Sequence, residues 1–230
     1  MRSEVMTLGT PNPRQREFLA CEKKYVAFGG ARGGGKSWAV RCKAKLLALR
    51  YAGIRILLVR RSLAELEANH LAFLRQELAD VAEYRAGERQ FRFCNGSVLQ
   101  FGYCGCDRDL DRYQGAEYDV IFLDEATQLK EQWMRQIAAC VRGVNDFPKR
   151  IYYTCNPGGP GHGYIKRLFI DRRFEDGEQP EDYAFIPARV TDNTALLARQ
   201  PDYLKTLEAL PYKLRRAWLE GRWDVFAGQV

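Results

Sequence analysis

One octapeptide constrains the fold of this chain more than any other part of its 230 residues. Gly30-Ala31-Arg32-Gly33-Gly34-Gly35-Lys36-Ser37 satisfies the pattern G-x-x-x-x-G-K-[ST] with nothing missing. An apolar run, Tyr25-Val26-Ala27-Phe28-Gly29, precedes it, and a helix-like stretch from Trp38 to Tyr51 follows. A glycine-rich turn between strand and helix lets successive backbone N–H groups point inward and cage phosphates at a helix N-terminus. In such a loop Gly30 to Gly35 wrap the phosphates, Lys36 reaches the β- and γ-phosphates, and the Ser37 hydroxyl ligates Mg²⁺. A merely flexible glycine loop needs neither the strand nor the helix.

Strand and helix signals then alternate, which predicts an α/β fold with a mainly parallel sheet flanked by helices. Ile54 to Val59 reads as a buried strand. Ser62 and Glu65 have capping-box spacing and open a helix whose inward residues are Leu63, Leu66, Phe73, Leu74 and Leu78. His70 falls near that face and reads as a boundary residue without a role. Phe91-Arg92-Phe93 and Val98 to Phe101 flank Asn95-Gly96, the dipeptide of a type I′ hairpin. Val120-Ile121-Phe122-Leu123 runs into Asp124-Glu125-Ala126, and a helix with Leu129, Trp133, Ile137 and Val141 on one face follows. Ile151 to Thr154 ends at Cys155-Asn156-Pro157-Gly158-Gly159. Beyond Pro160 the composition shifts toward Pro, Asp, Glu and Arg, and Pro201 and Pro211 read as first-turn prolines of short helices.

The length suits one domain with a small appended lobe: a core over 1–160, then the rest of the core and a helical lid over 161–230. A chain of this size buries roughly 70–75 % of its unfolded surface and needs no disulfides. The seven cysteines read as small core residues, and Cys104 and Cys106 lack the second pair that a zinc site requires. With no membrane-length apolar run and no secretory h-region, a reducing cytoplasm and no membrane partner are expected. The net charge of +7 favours a polyanionic partner. Candidate basic stretches are Arg41 to Lys45, Arg60-Arg61, Lys166-Arg167, Arg172-Arg173 and Arg215-Arg216.

An apolar strand ending in Asp-Glu complements the phosphate loop. In P-loop NTPases the strand-end Asp holds Mg²⁺, and the neighbouring carboxylate can polarise the attacking water. Asp124 and Glu125 supply both groups, with Ser37 completing the metal's protein ligands. The pair points to ATP hydrolysis coupled to motion.

These residues resemble the large subunit of viral and phage terminases, the motors that pump genomic DNA into empty capsids, over nearly the whole chain. The likeness begins at Pro13-Arg14-Gln15-Arg16-Glu17-Phe18-Leu19, similar to the family's adenine-contacting Q-motif, and implies that Gln15 hydrogen-bonds adenine. It implies a phosphate-directed role in cis for Arg32, the basic residue within the loop. Arg112-Tyr113-Gln114-Gly115-Ala116-Glu117-Tyr118-Asp119 is similar to the arginine-and-glycine segment before the family's acidic motif. By that likeness Arg112 is the leading candidate for an arginine finger acting on a neighbouring subunit, with Arg108, Arg135 and Arg142 as competitors. Thr154-Cys155-Asn156-Pro157 looks like the coupling motif, which makes Asn156 the γ-phosphate sensor. Leu219 to Val225 resembles the end of the ATPase lobe, where a nuclease follows in full-length terminases.

The resemblance implies a RecA-like ATPase core of the ASCE type with a small C-terminal helical lid. It implies ATP and Mg²⁺ as cofactors, and double-stranded DNA, a self-associated ring on a capsid portal and a terminase small subunit as partners. No nuclease activity is expected from a chain that stops at Val230. A helicase-like translocase and a weakly active nucleotide-binding assembly module are the alternatives.

Overall fold

The computed structural model describes residues 9–226. Residues 1–8, where no secretory segment is expected, and the end at Val230 lie outside them. In chain order the helices and strands are α1 (Pro13–Ala20), β1 (Tyr25–Gly30), α2 (Lys36–Arg50), β2 (Arg55–Arg60), α3 (Leu63–Leu66), α4 (Ala72–Glu77), β3 (Ala82–Arg85), β4 (Gln90–Phe93), β5 (Val98–Tyr103), β6 (Val120–Leu123), α5 (Glu131–Ala138), β7 (Arg150–Cys155), α6 (His162–Ile165), β8 (Tyr183–Ala188), α7 (Thr194–Arg199), α8 (Tyr203–Glu208) and α9 (Tyr212–Trp218). A π-helical turn, Glu67–Leu71, joins α3 to α4.

One sheet, ordered β3-β4-β5-β2-β6-β7-β1-β8, organises the molecule. Every pairing from β5 to β8 is parallel, while β3 and β4 extend the sheet antiparallel. The strands are near-continuous apolar runs because helices cover both faces, and strand alternation divides them between two cores. Val26, Phe28, Ile56, Leu58, Phe122 and Tyr152 pack on one face. Ala27, Leu57, Val59, Ile121, Leu123 and Tyr153 pack on the other. Parallel strands share one carboxyl edge, so the ends of β1, β2, β6 and β7 bring Gly30, Arg60, Asp124 and Asn156 together there.

Several expectations change. The β4–β5 connection is a three-residue loop, with Phe93 N–H donating to Ser97 O and Gly96 N–H to Phe93 O, both at 2.9 Å. Only Gly96 of the Asn-Gly pair is left-handed, at φ 85°. It therefore forms the bulge position rather than half of a type I′ turn. Asn95 instead ties the hairpin to α2 by donating Nδ2–H to Ala48 O at 2.8 Å. Leu63 and Phe73 are exposed, whereas Leu66, Leu74 and Leu78 are buried as expected. Pro211 is the N-cap of α9, and Pro201 precedes the N-cap Asp202 of α8. Cys94 and Cys106 are exposed.

The stretch Arg41 to Lys45 is not a basic surface. Arg41, Lys43 and Lys45 are all buried. Lys43 Nζ donates to Leu19 O and Cys21 O at 2.5 and 3.1 Å, satisfying carbonyls at the end of α1. Lys45 and Arg41 converge on Glu77 at 2.6 and 3.4 Å.

Candidate nucleotide site

The loop after β1 takes the shape its glycines permit. Gly33 and Gly35 have φ of 76° and 75°, a region in which a Cβ is strained. Gly35 is the left-handed N-cap of α2, which makes Lys36 the first helical residue and points the helix N-terminus into the loop. Neighbours hold this shape. Gln15 Nε2 donates to Gly35 O at 3.0 Å, and Asn193 Nδ2 donates to Gly33 O at 2.7 Å. The Ala31 N–H reaches Ala188 O at 3.0 Å, and the Arg32 N–H reaches Trp218 O at 2.7 Å.

Lys36 is buried, and its Nζ donates to Ala31 O at 2.6 Å and to Asn156 Oδ1 at 2.8 Å. Burial pulls its pKa below the usual lysine value, while Glu125, Cys155 and Asp124 push the other way. Asn156, at the end of β7, turns its other face to Glu125. Its Nδ2 donates to Oε1 and Oε2 at 3.1 and 2.9 Å. The resulting chain runs Lys36–Asn156–Glu125.

Asp124 and Glu125 follow β6 and are joined through Thr154. The Thr154 hydroxyl donates to Asp124 Oδ1 at 2.6 Å and accepts the Glu125 N–H at 2.8 Å. Glu125 is left-handed, with φ 54° and ψ 47°, a strained conformation for a residue with a side chain. The strain separates two adjacent carboxylates into different surroundings. Glu125 lines the cleft, while Asp124 is buried against Arg60 and His70. Arg60 Nε lies 2.9 Å and His70 Nε2 2.8 Å from Asp124 Oδ2. Burial alone would raise the Asp124 pKa, but His70, Arg60 and Thr154 outweigh it and hold the carboxyl below its ordinary range.

A cleft of about 820 Å³ opens along this edge, lined by Arg32, Lys36, Ser37, Glu125 and Asn156 among others. Its far wall comes from the C-terminal helices, through Asn193, Leu196, Tyr203 and Trp218. The structure thus assembles Gly33 to Ser37, Glu125 and Asn156 around one space. Arg32 lines it too, with its guanidinium carbon 3.4 Å from the Trp218 ring centroid.

Gln15, expected to contact adenine, is buried and does not line the cleft. Its Oε1 accepts the Asn12 N–H at 2.9 Å while its Nε2 holds Gly35. Arg112 also lies outside the cleft, paired with Asp109 at 3.0 Å and stacked 4.0 Å from the Tyr103 ring centroid. Sequence reasoning missed Arg60, Thr154 and His70 as partners of Asp124. Thr154 was within reach of it, since it ends the strand beside β6. No local signal marked the other two.

The donor set expected for a metal is one hydroxyl, Ser37, which lines the cleft, and one carboxylate, Asp124, which is buried and does not line it. Among the described residues no cluster of three or more His, Cys, Asp or Glu could hold an ion. That set fits Mg²⁺, which takes few hard oxygen ligands from protein and completes its shell with water and phosphate oxygens.

The family model described as "Terminase large subunit, T4likevirus-type, N-terminal" matches residues 27–228. The chain belongs to this terminase family. The large terminase of a thermophilic bacteriophage, solved with ADP, superposes with a TM-score of 0.74 at 16 % identity over 92 % of this chain and 53 % of that one. The ATPase domain of the Thermus phage P74-26 large terminase gives 0.66 at 14 %, covering 93 % of this chain and 94 % of that one. The bacteriophage HK97 large terminase gives 0.57 at 12 %, covering 84 % and 44 %. These likenesses show the fold, a mixed sheet with flanking helices of the RecA-like terminase ATPase kind. The chain spans about half the length of the full terminase that it matches first. No curated protein sequence matches it.

Proposed function

We propose that this terminase chain hydrolyses ATP to ADP and phosphate and that the energy drives double-stranded viral DNA into a procapsid. The observation that carries this reading is the Lys36–Asn156–Glu125 chain at the mouth of the phosphate loop. It links the group that meets the phosphates to the carboxylate that would activate water. Phosphoryl transfer needs little covalent work from the protein, so positioning and charge decide the rate.

The loop N–H groups from Gly33 to Gly35 and the ammonium of Lys36 take the phosphate charge, since the N–H groups of Ala31 and Arg32 are already held by Ala188 O and Trp218 O. Arg32 lies close enough to the same space to act there in cis, once turned from Trp218. Ser37 and Asp124 would hold Mg²⁺, which would supply neutralisation of the phosphate charge. Glu125 accepts a proton from the attacking water. Asn156 touches both ends and so senses whether phosphate is present. Gln15 sets Gly35 through its Nε2, which places it at the loop for the adenine contact that the family likeness implies.

The partners we propose are double-stranded DNA, a ring of copies on a portal, and a small subunit, all in the host cytoplasm. Among the described residues no helix is long and apolar enough to cross a membrane. Arg112 is exposed and does not line its own cleft, a position open to a neighbouring subunit. Among the described residues after 160 are the edge strand β8 and the helices that carry Leu196, Tyr203 and Trp218 to the cleft, and we read those helices as its lid. DNA-stimulated phosphate release tests the assembly. Arg112→Ala should lose about 10³-fold or more of its rate while keeping ATP binding. Mixing it with Lys36→Ala subunits should restore part of that rate, because each supplies what the other lacks. Full activity of Arg112→Ala alone would remove it as the finger.

A further inference from the structure

His70 is fully buried, 54 residues from Asp124 in sequence, and its Nε2 stands 2.8 Å from Asp124 Oδ2. The π turn Glu67–Leu71 places it there. Leu66, His70, Leu71 and Leu74 are all buried, and one wide turn lets the adjacent His70 and Leu71 both face inward. π turns within helices recur at functional sites because they redirect one side chain at a local energetic cost. Arg60 Nη1 ties the start of this helix to β2 by donating to Glu65 O at 3.2 Å.

An ionised carboxylate only accepts, so the bond requires a proton on His70 Nε2. Asp124 offers about four lone-pair positions. Thr154 occupies one on Oδ1, and His70 and Arg60 engage Oδ2. Thr154 and His70 hold the carboxylate by hydrogen bonds while Arg60 Nε stands beside Oδ2 as an ion-pair partner without one, and these three neighbours set the direction of what is left. Outer partners of this kind orient a ligand and commonly change metal affinity or activity by about 10–100-fold when removed.

We propose that His70 is a positioning residue for the metal: by donating Nε2–H to Asp124 Oδ2 it fixes the lone pair left for aquated Mg²⁺. The proposal rests on the nucleotide reading of the cleft. Its rival is that His70 merely satisfies a buried acid, in which case its loss lowers stability without touching metal affinity.

The two separate in a titration of Mn²⁺ into the protein–ADP complex, read by the loss of the free-ion EPR signal. His70→Gln keeps an N–H at the reach of Nε2. His70→Asn is polar but too short, and His70→Phe fills the space without a donor. The expected result is Mn²⁺ affinity within a few-fold of wild type for Gln and about 10–100-fold weaker for Asn and Phe. Metal-free ADP affinity should stay unchanged in all three. Should Phe fail to fold, the Gln and Asn pair decides alone. Equal Mn²⁺ affinity in wild type, Gln and Asn, whatever the melting temperatures, overturns the proposal. A wild-type chain that binds no ADP overturns the nucleotide reading itself, and the proposal falls with it.

Discussion

Between Lys36 and Glu125 stands a single amide that meets each neighbour with a different end. Asn156 accepts from the ammonium through Oδ1 and donates to the carboxylate through Nδ2, so its orientation is fixed by two charges of opposite sign. Asn156→Asp keeps the acceptor but removes the donor and sets a second acid against Glu125. ATP binding should stay within a few-fold, while single-turnover hydrolysis falls by about 10²-fold or more, as when one preorganised donor is lost. Unchanged hydrolysis would show that the contact is incidental. Thr154 works at the same scale, since one hydroxyl serves both Asp124 and the Glu125 backbone. Thr154→Val leaves both buried partners short. It should lower unfolding free energy by about 1–3 kcal/mol in chemical denaturation. A loss below that range would mean that water replaces the hydroxyl. The phosphate loop and the acidic pair were legible in the sequence because glycines and adjacent charges act locally. His70 and Arg60 were not, because their meaning lies in a contact that only the folded sheet and a π turn create.

Among elements, the segment that follows α9 touches both nucleotide-facing loops. Gly221, at φ 69°, lies so close to the first glycine of the loop that a Cβ there would sit 3.0 Å from Gly30 C. Gly221→Ala should therefore destabilise the chain by about 1–3 kcal/mol and weaken nucleotide binding with it. A stable variant with normal binding would show that the contact yields easily. On the other side His162 stacks 5.2 Å from the Trp223 ring centroid, and its Nδ1 accepts the Gly158 N–H at 3.0 Å. Burial lowers the His162 pKa below 6.5, a shift only partly opposed by a backbone bond to Trp223. The unfolded chain thus binds the proton first as pH falls. Stability from neutral His162 is present above 6.5 and is lost as pH drops from there toward the lowered folded value. Melting temperature should decline over that window in wild type and decline less in His162→Phe; parallel curves would exclude His162 as the group. Strand β8 shows why part of the fold was hidden. Pro187 interrupts its pattern, and proline is tolerated there because β8 is the sheet's edge.

For the whole molecule, the excess of positive charge is not all available to a polyanion. Three bases of α2 hold helices together, so a helix whose buried side is written in Arg and Lys reads in sequence as a surface. Lys45→Met should lower stability by about 1–3 kcal/mol by leaving Glu77 short of a partner. It should leave the salt dependence of DNA binding unchanged, since that slope counts only bases that reach phosphates. A shallower slope would return Lys45 to the surface. The central proposal is that one cleft binds ATP and that Glu125 activates water within it. The direct measurement is ATP affinity and single-turnover phosphate release on Glu125→Gln beside wild type. Affinity should stay within a few-fold, because Gln keeps the shape and Lys36 still meets the phosphates. Release should fall by about 10²-fold or more, in the range expected for loss of a general base. Release at the wild-type rate would contradict the assignment of Glu125 and with it the hydrolytic reading of the site.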